Sequence, residues 1–571
     1  MQPTHPAYTP FAEAMAPRQR WLLLISLMVT LFLGALDQTV VSTATPKILA
    51  DLKGFNLLSW LFTSYMLTST VVIPVVGKLG DLFGRKWFLI GGALVFVIAS
   101  ALCGAAPNME ALIGFRFLQG LGGGAIFASV FATLGDAFSP AERGKYVGLF
   151  TGTFSLASIV GPTLGGFLTD NGGWRWIFYI NVPIALIAMP AIFFSVPALT
   201  NRRKVKIDWL GAFVLGAASV AFLLAFVWAG QKYPWGSWQI IGLLAAAGVG
   251  VLLFMLVERR HPEPILPLHL FRNRTFAVSN LVVFTFGVGV FGAFQYLGLF
   301  VQTALGASAT ASGVVTTPQS AGVLISSIIG GQIISRRGKY KGQTVFGTIL
   351  IAAAMVLMQS LDVGMPRWHI SAFVVVLGLG FGLVLPTMSL IVQNAVSPQF
   401  IGVASSSSQF FRQIGSVMGV AIFGAVLANA YSDEFDVRFG GADRETVGPA
   451  VVAQLEDPTA RLNRGQFAAV EKQVLAKPGG DAILARAKDA QAESVAVGIR
   501  LIYVGALAAS LLSVVFALLL KDVPLRRHGP APAAVAATPP AAGPPRFDER
   551  RLAAQHVVSV EEGPPAAAGP S

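Results

Sequence analysis

The chain has 571 residues and a formal net charge of +13, and it is 54% hydrophobic but only 12% charged. Soluble domains carry about 25% charged residues, so a water-soluble globular enzyme is excluded. In a soluble protein the excess of cations would suggest nucleic acid; here they sit in short loops between apolar blocks, and nothing resembles a nucleic-acid-binding domain.

Residues 1–20 form a polar cytoplasmic segment ending in Arg18 and Arg20. The block that follows is too long for a signal-peptide core and leads into no convincing cleavage site, so it is expected to be a retained first span. Apolar blocks lie at about 21–46, 57–76, 87–106, 110–135, 145–168, 175–197, 209–229, 238–257, 275–301, 311–335, 343–361, 369–396, 402–430 and 496–520, near the ~20 residues that cross a ~30 Å hydrocarbon core. In lipid such blocks must be helices, because only a helix satisfies its own backbone within the segment. The fold class is therefore an all-α polytopic membrane protein with about fourteen transmembrane helices.

With the N-terminus inside, the inner loops hold Lys78, Arg85, Lys86, Arg143, Lys145, Arg202, Arg203, Lys204, Lys206, Arg259, Arg260, Arg272, Arg274, Arg336, Arg337, Lys339 and Lys341. The short outer loops hold only Lys47, Lys53, Arg175, Lys232 and Arg367. The positive-inside rule then puts both termini in the cytoplasm, and the inner (plasma) membrane is the expected location. A long outer loop, 431–495, is expected to carry an amphipathic surface helix from Asp481 to Glu493. The tail, 521–571, is rich in Pro and Ala and cannot bury enough apolar surface to fold.

The second-to-third-span loop reads Gly77-Lys-Leu-Gly-Asp81-Leu-Phe-Gly84-Arg85-Lys86. The tenth-to-eleventh reads Gly331-Gln-Ile-Ile-Ser335-Arg-Arg-Gly338-Lys339-Tyr340. A Gly, an aliphatic residue, a second Gly and a cation recur at the same spacing, which suggests a duplicated transporter whose halves rock against one another.

Gly77 to Lys86 resembles motif A of the major facilitator superfamily. Leu112, Arg116, Gln119, Gly120 and Gly122 resemble its fourth-span motif, and Gly161-Pro162-Thr-Leu-Gly165-Gly166 its fifth-span antiporter motif. Leu36-Asp37-Gln-Thr39 is similar to the first-span signature of drug/proton antiporters. Trp174 to Pro183 and Ala404 to Gly419 resemble the fourteen-span branch, of the EmrB/QacA type. The resemblance covers roughly residues 20 to 520. It implies the major facilitator fold, with six-helix halves at 21–197 and 261–520 and two inserted helices within 198–260. It also implies export of drugs, toxins or dyes driven by a proton gradient, with no cofactor. The bilayer, protons and a small organic molecule are the partners implied, and a monomer is expected.

Asp37 lies inside an apolar span, where an ionised carboxylate costs several kcal/mol unless paired or hydrated. Burial favours its neutral form and a nearby cation the ionised form, so it is either a proton carrier or half of a static ion pair that orients helices. Asp37 and Arg116 lie about 13 Å and 9 Å from the outer ends of their spans at 1.5 Å per residue, at similar depth. Arg412 lies near the midplane, where it is a candidate to meet Asp37 across the halves. Ser405, Gln409, Arg412 and Ser416 make a polar stripe at helical spacing.

The resemblance gives motif A a latch role. Asp81 would face a helix N-terminus of the other half and Arg85 would pair with Asp136, with Gly77, Gly84 and Lys86 completing the motif. Ser335 replaces the aspartate in the second copy, so the latch should be asymmetric. Gly161 and Gly165, four apart, mark a face for close helix approach, and Pro162 removes a backbone donor. Tyr65, Gln119, Phe291, Gln295, Tyr296, Gln393, Gln409 and Phe410 are candidates to line a substrate cavity. Aromatic faces there would attract cations. Export of a lipid or secondary metabolite, and nutrient symport, remain as alternatives. With six His, one Cys (Cys103) and no Walker loop or Gly-x-Ser-x-Gly turn, neither a metal site nor an enzyme is expected.

Overall fold

The computed structural model describes residues 10–52, 57–198, 206–230, 232–307, 309–456 and 464–522; all of the tail expected to be unfolded except residues 521 and 522 lies outside them. The described residues contain fourteen helices long and apolar enough to cross a membrane. The first half comprises α1 (Pro17–Leu52), α2 (Leu58–Phe83), α3 (Arg85–Gly104), α4 (Met109–Ala137), α5 (Pro140–Asn171), and a sixth span broken into α6 (Trp176–Tyr179) and α7 (Asn181–Ser195). An inserted pair follows, α8 (Trp209–Trp228) and α9 (Trp238–Arg260). The ninth span is α10 (Arg274–Phe286), a π-helical stretch Gly287–Phe291, α11 (Gly292–Leu299) and a second π stretch Phe300–Ala304. The second half continues with α12 (Ala309–Arg337), α13 (Lys341–Met358), α14 (Arg367–Asn394) and α15 (Ile401–Arg438). After α16 (Ala442–Val447), α17 (Pro449–Leu455) and α18 (Arg464–Leu475), the chain re-enters as α19 (Gly480–Leu519).

Local chemistry sets the helix ends. Asn108 caps α4 by accepting from the Ala111 N–H at 2.8 Å, and Asp208 caps α8 by accepting from Gly211 at 2.7 Å. The repeated loop has a backbone reason for its glycine. Gly84, between α2 and α3, has φ +91°, and Gly338, between α12 and α13, has φ +69°, a region that side chains disfavour. The same chain reversal is thus built twice.

The halves meet where α2 packs on α15 and α5 on α12. Small residues permit this approach. Gly77 abuts Ser406 and Gly402, Gly144 abuts Gly331, and Gly148 abuts the Ser327 backbone. Helix α8 packs on α2 and α15, while most of α9 is exposed, as a lipid-facing helix would be.

The outer loop departs from expectation. Helices α15 and α19 have 38 and 40 residues, so at 1.5 Å per residue each is roughly 57–60 Å long, about twice the hydrocarbon thickness. Both therefore run well beyond the bilayer, and α16 to α18 pack against them. Residues 481–493 are not a separate surface helix but the first turns of α19. Their apolar residues Ile483, Leu484 and Ala487 are buried with Val452, Leu455 and Val474, which keeps the helix continuous with the last span.

Candidate functional site

Asp37 and Arg116 meet. The Asp37 carboxylate accepts from Arg116 at 2.6 Å on Oδ2, and from the Gln119 and Asn181 amides at 2.8 and 3.1 Å on Oδ1. Arg116 also donates to Gln119 Oε1 at 2.7 Å and to the Leu61 carbonyl at 3.2 Å, and its guanidinium lies over the Tyr65 ring. Gln119 and Asn181 each donate to Ser100 Oγ as well, and Cys103 lies against Gln119. Asp37 and Arg116 are each only 1% exposed. One ion pair is thus held by polar groups from α1, α2, α3, α4 and α7. Asn181 opens α7, and Arg116 is seven residues from the start of α4, about 10 Å. The cluster lies in the half of the bundle remote from the motif A turn.

Asp37 and Arg116 are recognisable in the sequence as intramembrane charges. Asn181, Ser100 and Cys103 are not, because neutral polar residues are common in membrane helices. The signal for Asn181 is its place in the Trp174–Pro183 stretch that resembles the fourteen-span branch. Tyr65 and Gln119, candidates for a cavity wall, are instead packed around the ion pair.

At the opposite end the halves are sealed. The Asp81 oxygens accept from the Gly402 and Val403 N–H groups at 2.9 and 2.8 Å, at the N-terminus of α15. There the carboxylate meets the positive end of the helix dipole. Arg85 pairs with Asp81 and, at 2.8 Å, with Asp136, and it donates to the Gly77 carbonyl. Two neighbours extend the seal. Lys78 pairs with Glu263 at 2.7 Å. Gln393 donates to the Phe131 carbonyl and to Ser405, and it accepts from Arg143 at 3.3 Å. Gln393 is therefore a gate contact here and not an open cavity wall. Lys86 takes no part in the seal; its amine lies over the Phe193 ring of α7, 4.3 Å from the centroid. Lys78 was inconspicuous in the sequence because a cation there also satisfies the positive-inside rule.

The second motif copy seals differently. Gly331 abuts the Gly144 backbone, and the first turn of α5 carries its own acid, Glu142, in contact with Ser139 at 3.2 Å. In the antiporter motif, Gly161 faces Thr39, whose hydroxyl donates to the Ala157 carbonyl at 3.2 Å, so α5 packs closely on α1 there. Gly165 is buried, Gly166 has open space where a side chain would stand, and Pro162 sits within a continuous α5.

Arg412 does not meet Asp37 in this conformation. Its Nε donates to Gln409 at 3.0 Å and its guanidinium stands over Phe291, 5.2 Å from the centroid. Gln295 is exposed and Tyr296 half-buried, with its hydroxyl on the Val420 carbonyl; Phe410 is buried in the packing around α10 and α15. A second pair of acids is buried in the inserted helices. Asp208 caps α8, and Glu258 accepts from the Ile265 and Leu266 N–H groups at 3.0 and 3.3 Å. Among the described residues, no cluster of His, Cys, Asp and Glu is placed to hold a metal ion.

The family profile described as Major Facilitator Superfamily matches residues 27–420. The chain is 42% identical over 409 residues to the multidrug transporter protein MdtP of Bacillus subtilis, covering 72% of this chain and 75% of that one. It is 35% identical over 471 residues to multidrug resistance protein 3 of Bacillus subtilis, covering 82% and 90%. Among solved structures, the proton:xylose symporter XylE superposes with a TM-score of 0.53 at 14% identity, over 72% of this chain and 89% of that one, a likeness of fold.

Proposed function

The chain belongs to the major facilitator superfamily and is a membrane transporter, not an enzyme; we propose that it exports amphiphilic organic compounds by proton antiport. The relatives' multidrug roles support the export direction and the cargo class. The observation that carries the coupling is the buried Asp37, held by three donors from α4 and α7. An intramembrane carboxylate is by default a functional group, and this one is the acid in the first half that stands away from helix ends.

In this reading the motif A end faces the cytoplasm, in the inner membrane, and the seal there leaves the protein open outward. A proton arriving from outside neutralises Asp37. The attraction to Arg116 then falls, and Gln119 and Asn181 lose an anionic acceptor. The loosened first half rocks, the Asp81 latch parts, and Asp37 releases its proton to the cytoplasm as Arg116 recaptures the carboxylate.

The test is purified protein in liposomes with a trapped pH dye, an imposed proton gradient and a panel of lipophilic dyes and antibiotics. Substrate-induced proton flux is expected for the wild type and should vanish in Asp37→Asn. Flux unchanged by the substitution would remove Asp37 as the carrier. No flux with any compound, from folded protein, would remove proton antiport.

A further inference from the structure

The charges in the transport path do not cancel. The one acid away from helix ends in the first half, Asp37, is neutralised by Arg116. In the second half, from Arg274 to Tyr431, the only Asp or Glu in the sequence is Asp362. It lies in the turn between α13 and α14, where it accepts from the Val363 N–H. Arg412 lies eleven residues into α15, about 16 Å at 1.5 Å per residue and so near the middle of a ~30 Å core. Arg500 is nineteen residues from the end of α19, about 28 Å away and so at the outer surface.

Among the described residues no carboxylate lies within ion-pair distance of Arg412. The contacts it does make orient it without neutralising it. Gln409 takes the Nε–H, and the guanidinium carbon lies over the Phe291 ring. That leaves the two terminal nitrogens, the pair that binds a carboxylate in bidentate fashion. The aromatic face that would have attracted a cationic cargo is already covered by the protein's own cation.

The surroundings are built from irregular helix and close backbone packing. Phe291 belongs to the first π stretch, and irregular helix of this kind recurs at functional sites. Gly287, Gly289 and Gly292 pin that stretch against the α15 and α19 backbones. Arg412 is half-buried, while Gln295, one turn beyond Phe291, and Gln38, next to Asp37, are exposed. Lipid would leave amides and a guanidinium at this depth unsatisfied, which argues that they face the interior of the bundle.

We infer that the cargo site takes an organic anion, an amphiphile carrying a carboxylate or similar acid group, and that Arg412 receives that group. The inference specifies the cargo of the export reading, and rests on it for the direction of movement only; the binding site stands on its own geometry.

The test is equilibrium binding to the full chain in nanodiscs, read by pyrene fluorescence. The probes are pyrenebutyrate and the trimethylammonium compound on the same pyrenebutyl chain. Wild type should bind the anion more tightly. Arg412→Gln should weaken anion binding by about 10- to 100-fold, the range of a charge-assisted hydrogen bond, and leave the cation unchanged or tighter. Arg412→Lys, which keeps the charge but not the bidentate geometry, should bind the anion less tightly than wild type yet still prefer it to the cation. Equal binding of the two probes by wild type, or an anion-to-cation ratio unaltered in Arg412→Gln, overturns the proposal. Where Arg412→Gln binds neither probe, Arg412→Lys decides: loss of the preference there overturns it too. Proton flux is read separately, so its absence in wild type would sink antiport and leave the binding ratio to decide the anion site.

Discussion

Replacing Asp81 by Asn tests the latch quantitatively. The carboxylate accepts from two backbone N–H groups at the start of α15, at 2.9 and 2.8 Å, and pairs with Arg85. Asparagine keeps the shape but has one acceptor oxygen, so one helix N–H loses its partner and the other bond loses its charge assistance. Charge-assisted bonds contribute about 1.5–3 kcal/mol net, and a partly buried charge at a helix end up to ~2 kcal/mol. Arg85 retains Asp136, which limits the loss. A net shift of about 2–3 kcal/mol toward the state open at this end follows, roughly 30- to 150-fold in the sealed-to-open ratio. The distance between spin labels at Lys145→Cys and Lys339→Cys, both exposed at the sealed end, reads that ratio by double electron–electron resonance. Native Cys103 is buried and stays unlabelled. A long-distance population should grow in Asp81→Asn and stay at the wild-type level in Lys86→Ala, because Lys86 turns away to Phe193. An Asp81→Asn distribution that superposes on wild type would refute the latch; so would an equal change in Lys86→Ala.

Three further outcomes follow from named contacts. A side chain at Gly77 would fall on Ser406 and within 2.9 Å of the Gly402 carbonyl, so Gly77→Val should wedge the seal open in the same label pair. Gly91→Val, where nothing lies within 4 Å, should not. Asp37→Asn leaves Arg116 buried without its anion, a loss of about 3–5 kcal/mol. Adding Arg116→Gln should recover much of the melting temperature, and additive losses would argue against a coupled pair. At the outer extension, the Asp443 carboxyl is held below its ordinary value by two Arg486 hydrogen bonds at 2.7 Å. A depressed acid stabilises above its unfolded value and loses that effect as pH falls through the folded one. The protection of the α16 amides, taken relative to intrinsic exchange at each pH, should therefore be constant from neutral pH to about 5 and fall only below about 4. A loss of protection near pH 6 would contradict this.

Much of the architecture was legible because the bilayer restricts the choices. Apolar length fixes helix number, and a backbone that needs φ above zero at Gly84 and Gly338 leaves a glycine at the same place in both copies. Depth placed Asp37 and Arg116 at a similar level but left Arg412 as a second candidate partner, and only the packing decides for Arg116. What stayed hidden were features whose signal depends on packing. Asn181 and Ser100 are ordinary residues until α7 and α3 bring them to Asp37. Lys78 and Lys86 look alike as loop cations, yet one pairs across the seal with Glu263 and the other lies on an aromatic ring. The outer extension was hidden for a different reason. Its helices are amphipathic and charged, so hydropathy ends the spans near Ala430 and Val495 although the helices themselves do not stop there.

The two halves share a fold but divide the charge chemistry unevenly. The first half holds the buried Asp37–Arg116 ion pair and the Asp81 carboxylate that accepts from the second half. The second half has no acid within its spans and presents Arg412 beside the π stretch. With one proton moving in, export of a monovalent cation would be electrically silent, whereas export of a monovalent anion would move two positive charges inward per cycle. At about 2.3 kcal/mol per charge per 100 mV, an inside-negative potential would then contribute about 4.6 kcal/mol per 100 mV to expulsion. Antiport of protons against an organic anion would thus draw on both components of the proton gradient. In the proposed reading, the negative charge that Arg412 would select on the cargo is the same charge on which the membrane potential would act to expel it.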